Sequence, residues 1–287
     1  MRRRRLRGSA VVVVLILVVA GAAVWSCASN STSSDLAESE RTTTVEVVSA
    51  TIEVTSTAAE VTSTTVASPS SSTVATSTSP TGSETVTAAP IVRTGPKDKK
   101  WIALTFDDNY QGSNATKTIA VLKRYEVPAT FFVIGHYVDL GPKLAKEIAA
   151  AGFEVGDHTR SHANCAELSA RALRIEIGNG TDHYSELTGA PTVALFRPPG
   201  GFVDEETCQI AAEKGFKYVV MWDIDTNDWR GRSAAQITET VMGNAHNGAI
   251  VLMHMAGKHT AEALPGIITR LRDAGYELVP LTKMLQL

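Results

Sequence analysis

Two short stretches carry the residue types that hold a divalent cation: TFDD (Thr105–Asp108) and GDHTRSH (Gly156–His162). His158 and His162 are four residues apart, a spacing that stacks two imidazoles on one face if the segment is helical. The residue after His158 is Thr159, so the glutamate base of an HExxH zinc protease is missing and that reading is disfavoured. Two histidines and one aspartate make a three-ligand site with positions open for water and substrate, as catalytic zinc requires. Neighbouring strand residues point in opposite directions, so Asp107 and Asp108 are expected to divide the work. One would ligate the metal and the other would face the substrate.

Three further stretches bear on the same chemistry. FRPPGG (Phe196–Gly201) puts Arg197 at the entry of a turn stiffened by two prolines. Its glycines permit close approach of main chain to a ligand. DIDTNDW (Asp223–Trp229) sets Asp225 and Asp228 beside an aromatic wall, and IVLMH (Ile250–His254) ends on a histidine.

The elements that must position these residues alternate. Apolar runs at 101–106, 130–134, 154–156, 194–196, 218–222, 250–253 and 277–279 read as strands. Helix-like segments lie near 114–126, 142–151, 166–188, 204–214, 233–245 and 260–274. DLGPKLAKEIAAAGF shows the pattern, with Pro142 near the helix start and Gly152 as its stop. Such alternation implies a largely parallel sheet, open or closed into a barrel, and about seven strands suit a barrel lacking one of the usual eight. Active sites of these folds lie at the carboxyl ends of the strands. Asp107 and Asp108 follow the first expected strand, His158 the third, Arg197 the fourth, Asp225 and Asp228 the fifth, and His254 ends the sixth. Scattered surface charges would not collect on one rim.

In chain order, TFDD, HTRSH, RPPGG, DTNDW and LMH resemble the five motifs of the NodB-homology polysaccharide deacetylases, carbohydrate esterase family four, across residues 100–287. The resemblance implies an α/β fold, a deformed (β/α)7 barrel, and metal-dependent removal of acetyl groups from polysaccharides by a hydrolase of linear amides. It implies that Asp107 is the catalytic base, that Asp108, His158 and His162 bind the metal, and that Arg197 orients the base. Asp228 is similar to the carboxylate that tunes the catalytic histidine, and His254 to that histidine. Trp229 and Leu252 match residues of the acetyl-methyl pocket, Gly200 the backbone donor to an oxyanion, and Asp225 the first aspartate of the fourth motif. The implied cofactor is a divalent metal, zinc before cobalt or others. Two departures stand out. Asn109 replaces the glycine that commonly follows the aspartates. Gly200 replaces an aromatic residue, an exchange expected to open the cleft.

The rest of the chain is organised around this domain, placed at 97–287 of the 287 residues. Residues 1–29 begin MRRRRLRG and continue with the apolar run Ala10–Trp25, the pattern of a signal peptide or membrane anchor. That run lies at or just below the roughly 17–25 residues of a spanning helix. Cys27 follows it, but bulky Trp25 suits a plain anchor better than a lipoprotein cleavage site. Residues 30–96 are rich in Ser and Thr and too poor in large apolar side chains to fold, so a disordered linker or stalk is expected. A formal charge of −3 and a pI near 6.2 give no case for nucleic acid as a partner. The expected partner is a cell-wall polysaccharide met outside the cytoplasm, by a chain that is secreted or held in the membrane by its N-terminal segment, with a monomeric catalytic domain. The expected reaction is removal of N-acetyl groups from N-acetylglucosamine units, above all in peptidoglycan. Chitooligosaccharide and acetylxylan are the competing substrates, and a non-catalytic wall-binding domain is the competing class. His183, His246 and His259 read as surface residues, and pairing of Cys165 with Cys208 stays open.

Overall fold

The computed structural model describes residues 87–287. The signal or anchor, Cys27 and almost all of the linker expected at 30–96 lie outside the described residues. The elements in chain order are β1 (Ile91–Val92), β2 (Trp101–Asp107), α1 (Ser113–Arg124), β3 (Thr130–Val133), α2 (Gly135–Leu140), α3 (Pro142–Ala150) and β4 (Glu154–Asp157). They continue with α4 (Ala170–Glu176), α5 (Asn179–Thr188), β5 (Leu195–Phe196), α6 (Glu205–Glu213), β6 (Tyr218–Val220) and β7 (Ile224–Asp225). The chain closes with α7 (Ala234–Asn244), β8 (Ala249–His254), α8 (Thr260–Asp273), β9 (Glu277–Leu278) and α9 (Leu281–Leu285).

Every strand pair is parallel, and the order is β1-β6-β5-β4-β3-β2-β8-β7, with β9 branching onto β2. Parallel strands with helical crossovers are buried on both faces, and β2, β3 and β8 accordingly read as near-continuous apolar runs. The arrangement is a parallel-strand half-barrel wrapped by helices, consistent with a deformed (β/α)7 barrel. Its main core packs Ile102, Leu104 and Phe106 of β2 against Leu122 of α1 and Ile267 and Leu271 of α8.

Three expectations give way. Residues 88–92 fall in the expected linker, yet Ala89 is buried and β1 pairs with β6 through Ile91–Val219 and Val92–Val220. Small and β-branched residues there find a ready sheet edge, which composition cannot reveal. The single helix expected at 166–188 is a short turn followed by α4 and α5, separated at Gly178, whose φ of 90° no right-handed helix accepts. The strand expected at 218–222 ends at Val220, and a separate short strand, β7, follows it and aligns Asp225 with Leu252 of β8.

Candidate active site

Because all strands run the same way, their carboxyl ends share one rim, and register fixes who meets whom. Asp107 ends β2 directly beside His254, which ends β8. Asp157 of β4 lies opposite Phe196 of β5 and delivers His158 on one side and Arg197 on the other. Asp107, Asp108, His158, His162, Gly200, Asp225, Trp229, Leu252 and His254 line a single cavity of about 540 Å³. Arg197 and Asp228 stand behind it, fully buried, and reach it through Asp107 and His254.

Arg197 is a buried cation with four of its five N–H donors answered among the described residues. Its Nη1 donates to Asp107 Oδ1 at 2.7 Å and to Thr105 Oγ1 at 2.9 Å. Nε and Nη2 donate to the carbonyls of Val220 and Met221, and the guanidinium lies 4.1 Å from the centroid of the Phe132 ring. A buried charge is tolerated only when paired and hydrogen-bonded like this. The pairing ties down Oδ1 of Asp107 and leaves Oδ2 facing the cavity, 3.7 Å from His158 Nε2.

Asp108 departs from the alternation expected of a strand. Its φ of 59° is left-handed, so the chain leaves β2 with a twist that turns this carboxylate to the same side as Asp107. Thr159 (φ 66°) and His162 (φ 65°) are left-handed too, so HTRSH is a loop after β4, not the helix on which the four-residue spacing stacks two rings. Thr159 and His162 are held in this sparsely populated region by backbone N–H bonds to Asp157 and to the Thr159 hydroxyl. Asp157, fully buried, accepts from the backbone N–H groups of Thr159, Gly178 and Thr181, fastening the loop to the start of α5. Burial outweighs these donors and pushes its carboxyl up to about 6. On the outer side, Glu176 accepts from Arg160 N–H, Ser161 N–H and the Ser161 hydroxyl.

The loop presents an ordered set of donors. His158 Nδ1 lies 2.7 Å from the Arg197 carbonyl, which only accepts, so Nδ1 carries a proton there and Nε2 is the ring atom turned to the cavity. That Nε2 is 3.6 Å from Asp108 Oδ1, and His162 Nε2 is 3.4 Å from the same oxygen. Burial, then the neighbouring His158, push the His162 ring below its ordinary value, toward the neutral form that binds metals. Asp108 Oδ1 is buried and has no hydrogen-bond partner among the described residues. An orphaned carboxylate oxygen facing two imidazole nitrogens, all within 4.8 Å of one another, fits a divalent cation.

Across the cavity, His254 and Asp228 form a second unit. Nδ1–H of His254 donates to Asp228 Oδ1 at 2.7 Å, and the His254 backbone N–H donates to Oδ2 at 2.8 Å. The Thr260 hydroxyl and the Trp229 N–H complete the carboxylate's partners. Burial opposes a charge on His254, but the bond and charge of Asp228, with Asp107 and Asp108 beyond, raise it to about 9. The ring therefore holds a proton on Nε2, toward the cavity.

The third wall differs from the expectation of an opened cleft. Gly200 is left-handed (φ 63°), and a Cβ built there would meet the Phe202 ring at 2.7 Å. Phe202 thus fills the place that a side chain at Gly200 would take, and its ring lines the cavity. Trp222, Asn227 and Arg230 line it as well. Phe202, Asn227 and Arg230 were not singled out by sequence, although each lies within two residues of one that was. Cys165 and Cys208 are both buried free thiols. Met253 and Met255 are core, and His183, His246 and His259 pair with Asp139, Asp223 and Glu262 away from the cavity.

Comparison with known proteins bears on the family of the chain. A family model described as polysaccharide deacetylase matches residues 94–219. A peptidoglycan-N-acetylglucosamine deacetylase of Bacillus cereus is 33% identical over 195 residues, 67% of this chain and 91% of that protein. A second B. cereus protein of the same name is 37% identical over 198 residues, 67% of this chain and 71% of that protein. Among solved structures, a family-four pseudoenzyme of Bacillus anthracis superposes with a TM-score of 0.65 at 33% identity, covering 69% of each chain. The family thus includes a member described as lacking turnover. The chain belongs to the NodB-homology polysaccharide deacetylases, carbohydrate esterase family four.

Proposed function

We propose that this protein is a divalent-metal-dependent deacetylase that hydrolyses the N-acetyl groups of N-acetylglucosamine units in peptidoglycan, acting at the cell surface. The observation that carries it is the meeting, in one cavity, of a bare Asp–His–His donor set, a carboxylate fixed by a buried arginine, and a histidine held protonated by a buried aspartate. The names of the B. cereus relatives supply the substrate class.

In this reading Asp108, His158 and His162 hold the ion, with zinc the best match to the donor set. When bound, the ion acidifies a water and polarises the acetyl carbonyl. Asp107 takes the water's proton on Oδ2, because Oδ1 is committed to Arg197. The N–H of Gly200 faces the developing oxyanion. His254 delivers its Nε2 proton to the departing amine, which leaves poorly as an anion, and Asp228 stabilises the imidazolium before that transfer. Leu252 and Trp229 shelter the acetyl methyl.

The test is acetate release from peptidoglycan, chitooligosaccharide and acetylxylan by the full chain, before chelation, after it, and after zinc is restored. Release from peptidoglycan that chelation abolishes and zinc recovers is the expected result. No release from any of the three with zinc restored would sink the reading.

A further inference from the structure

Arg230 lies outside the acid–base and donor sets, yet it lines the same cavity. It follows Trp229 directly, in a short turn at the mouth, and its guanidinium carbon is 4.5 Å from the centroid of the Trp229 ring. Stacking of this kind holds a guanidinium in a preferred place while leaving its in-plane N–H donors unspent. The side chain is exposed and has no carboxylate partner among the described residues. Its surroundings make that notable. Asp107, Asp108 and Asp225 place carboxyl groups on the cavity wall, and Asp225 already accepts from the Asn227 N–H in its own turn. Among the lining residues Arg230 is the one permanent cation with free donors, since Arg197 is buried behind Asp107. Trp229 and Phe202, 58% and 56% exposed, supply apolar surfaces on which sugar rings can lie beside it.

A neutral glycan can accept from this fork only through single hydroxyl or carbonyl oxygens, whereas a carboxylate matches it in both charge and geometry. Resting on the deacetylase reading above, we infer that Arg230 is a specificity-determining residue that selects glycans carrying a carboxylate next to the acetylated sugar. The chemistry has two sources in wall polymers: the lactyl carboxylate of a muramic sugar stripped of its peptide, and the carboxylates of an attached stem peptide.

The test uses full chain, zinc-loaded, on four substrates: glycan strands with stem peptides and strands stripped of them, each native and with its carboxylates converted to methylamides. In the wild-type chain, kcat/KM is expected to favour native over amidated strands about ten-fold, the size of one charge-assisted contact at an exposed site. Arg230→Gln brings that ratio close to one, Arg230→Lys keeps part of it, and added salt shrinks it. A preference within the stripped pair assigns the lactyl carboxylate; one confined to the stem-bearing pair assigns the peptide. A wild-type ratio near one overturns the inference. So does an Arg230→Gln loss that is equal on native and amidated strands, the signature of mere support for Trp229. The same four strands titrated against Asp107→Asn, with and without Arg230→Gln, give binding ratios that do not depend on turnover. Absence of acetate from every strand and from chitotetraose would instead strike the deacetylase reading, while those binding ratios still decide the role of Arg230.

Discussion

His254 carries a proton because Asp228 has nowhere else to place its charge. All the donors around that carboxylate are fixed: the imidazole, two backbone N–H groups and the Thr260 hydroxyl. In the proposed mechanism the group whose value is raised is the acid, so activity should be present while the ring is protonated and be lost as pH rises through its pKa, about 9 in the metal-free protein. A bound cation draws that limb lower in any variant, so the difference between two proteins is the informative quantity. Asp228→Asn removes the counter-charge, and the alkaline limb of kcat should move to lower pH while kcat falls roughly 10²–10⁴-fold. A pH profile of acetate release with an unmoved limb would contradict the pairing. At this scale the sequence was informative because TFDD, HTRSH, RPPGG, DTNDW and LMH name residue types with few other reasons to sit at strand ends. It was silent on Phe202, whose ring reaches Gly200 only once the turn has formed, and on the left-handed φ of Asp108, which tertiary contacts impose.

The loop that carries His158 and His162, the proposed metal ligands, depends on elements that would bind no metal. Asp157 fixes it from inside to the start of α5, and Glu176, the last residue of α4, fixes it from outside. This explains why the break at Gly178 matters: one continuous helix over 166–188 could not bring both the end of α4 and the N-terminus of α5 to the loop. The alternation of strands and helices was legible from apolar periodicity, but the break was not, since Gly178 inside an otherwise periodic segment costs only about 1 kcal/mol as helix. Glu176 is half-buried and its side chain bonds only to the loop, so its replacement should leave the fold intact and act on the loop. Glu176→Ala releases three donors at Arg160 and Ser161, and the zinc affinity should weaken roughly ten-fold, the lower end of what losing a direct partner of a ligating histidine costs, because Glu176 holds the loop and not the rings. Glu176→Gln, which keeps an acceptor oxygen, should lose less. Competition against a chromophoric chelator reads this directly. Unchanged affinity in Glu176→Ala at an unchanged melting temperature would show that the loop holds itself.

For the whole molecule, the boundary of the folded unit is set by sheet pairing and not by composition. Residues 88–96 share the small and β-branched character of the segment before them, yet their backbone is bound into the domain. Ala89 N–H donates to Cys208 O, Val219 N–H to Pro90 O, Met221 N–H to Val92 O and Gly95 N–H to Gly248 O, all between 2.7 and 3.0 Å. The last three of these close the outer edge of β6 and brace the turn before β8. A chain starting at residue 97, the boundary that composition suggests, would expose the β6 edge and strip Ala89 from the core formed by Cys208, Phe216 and Val219. Four such bonds at about 0.5–1.5 kcal/mol each set a loss of several kcal/mol. For a domain of this size that corresponds to roughly 5–15 °C in melting temperature. The site should feel it only through Val220 and Met221, whose carbonyls hold Arg197, because β1 otherwise pairs at the far end of the strand order from β2 and β8, which carry Asp107 and His254. Thermal unfolding of chains beginning at residues 87 and 97 should therefore separate clearly, while acetate release per folded molecule stays within a factor of about two at low temperature. Equal melting temperatures would place the start of the domain at residue 97 after all, and would make β1 an ornament of the sheet instead of its edge.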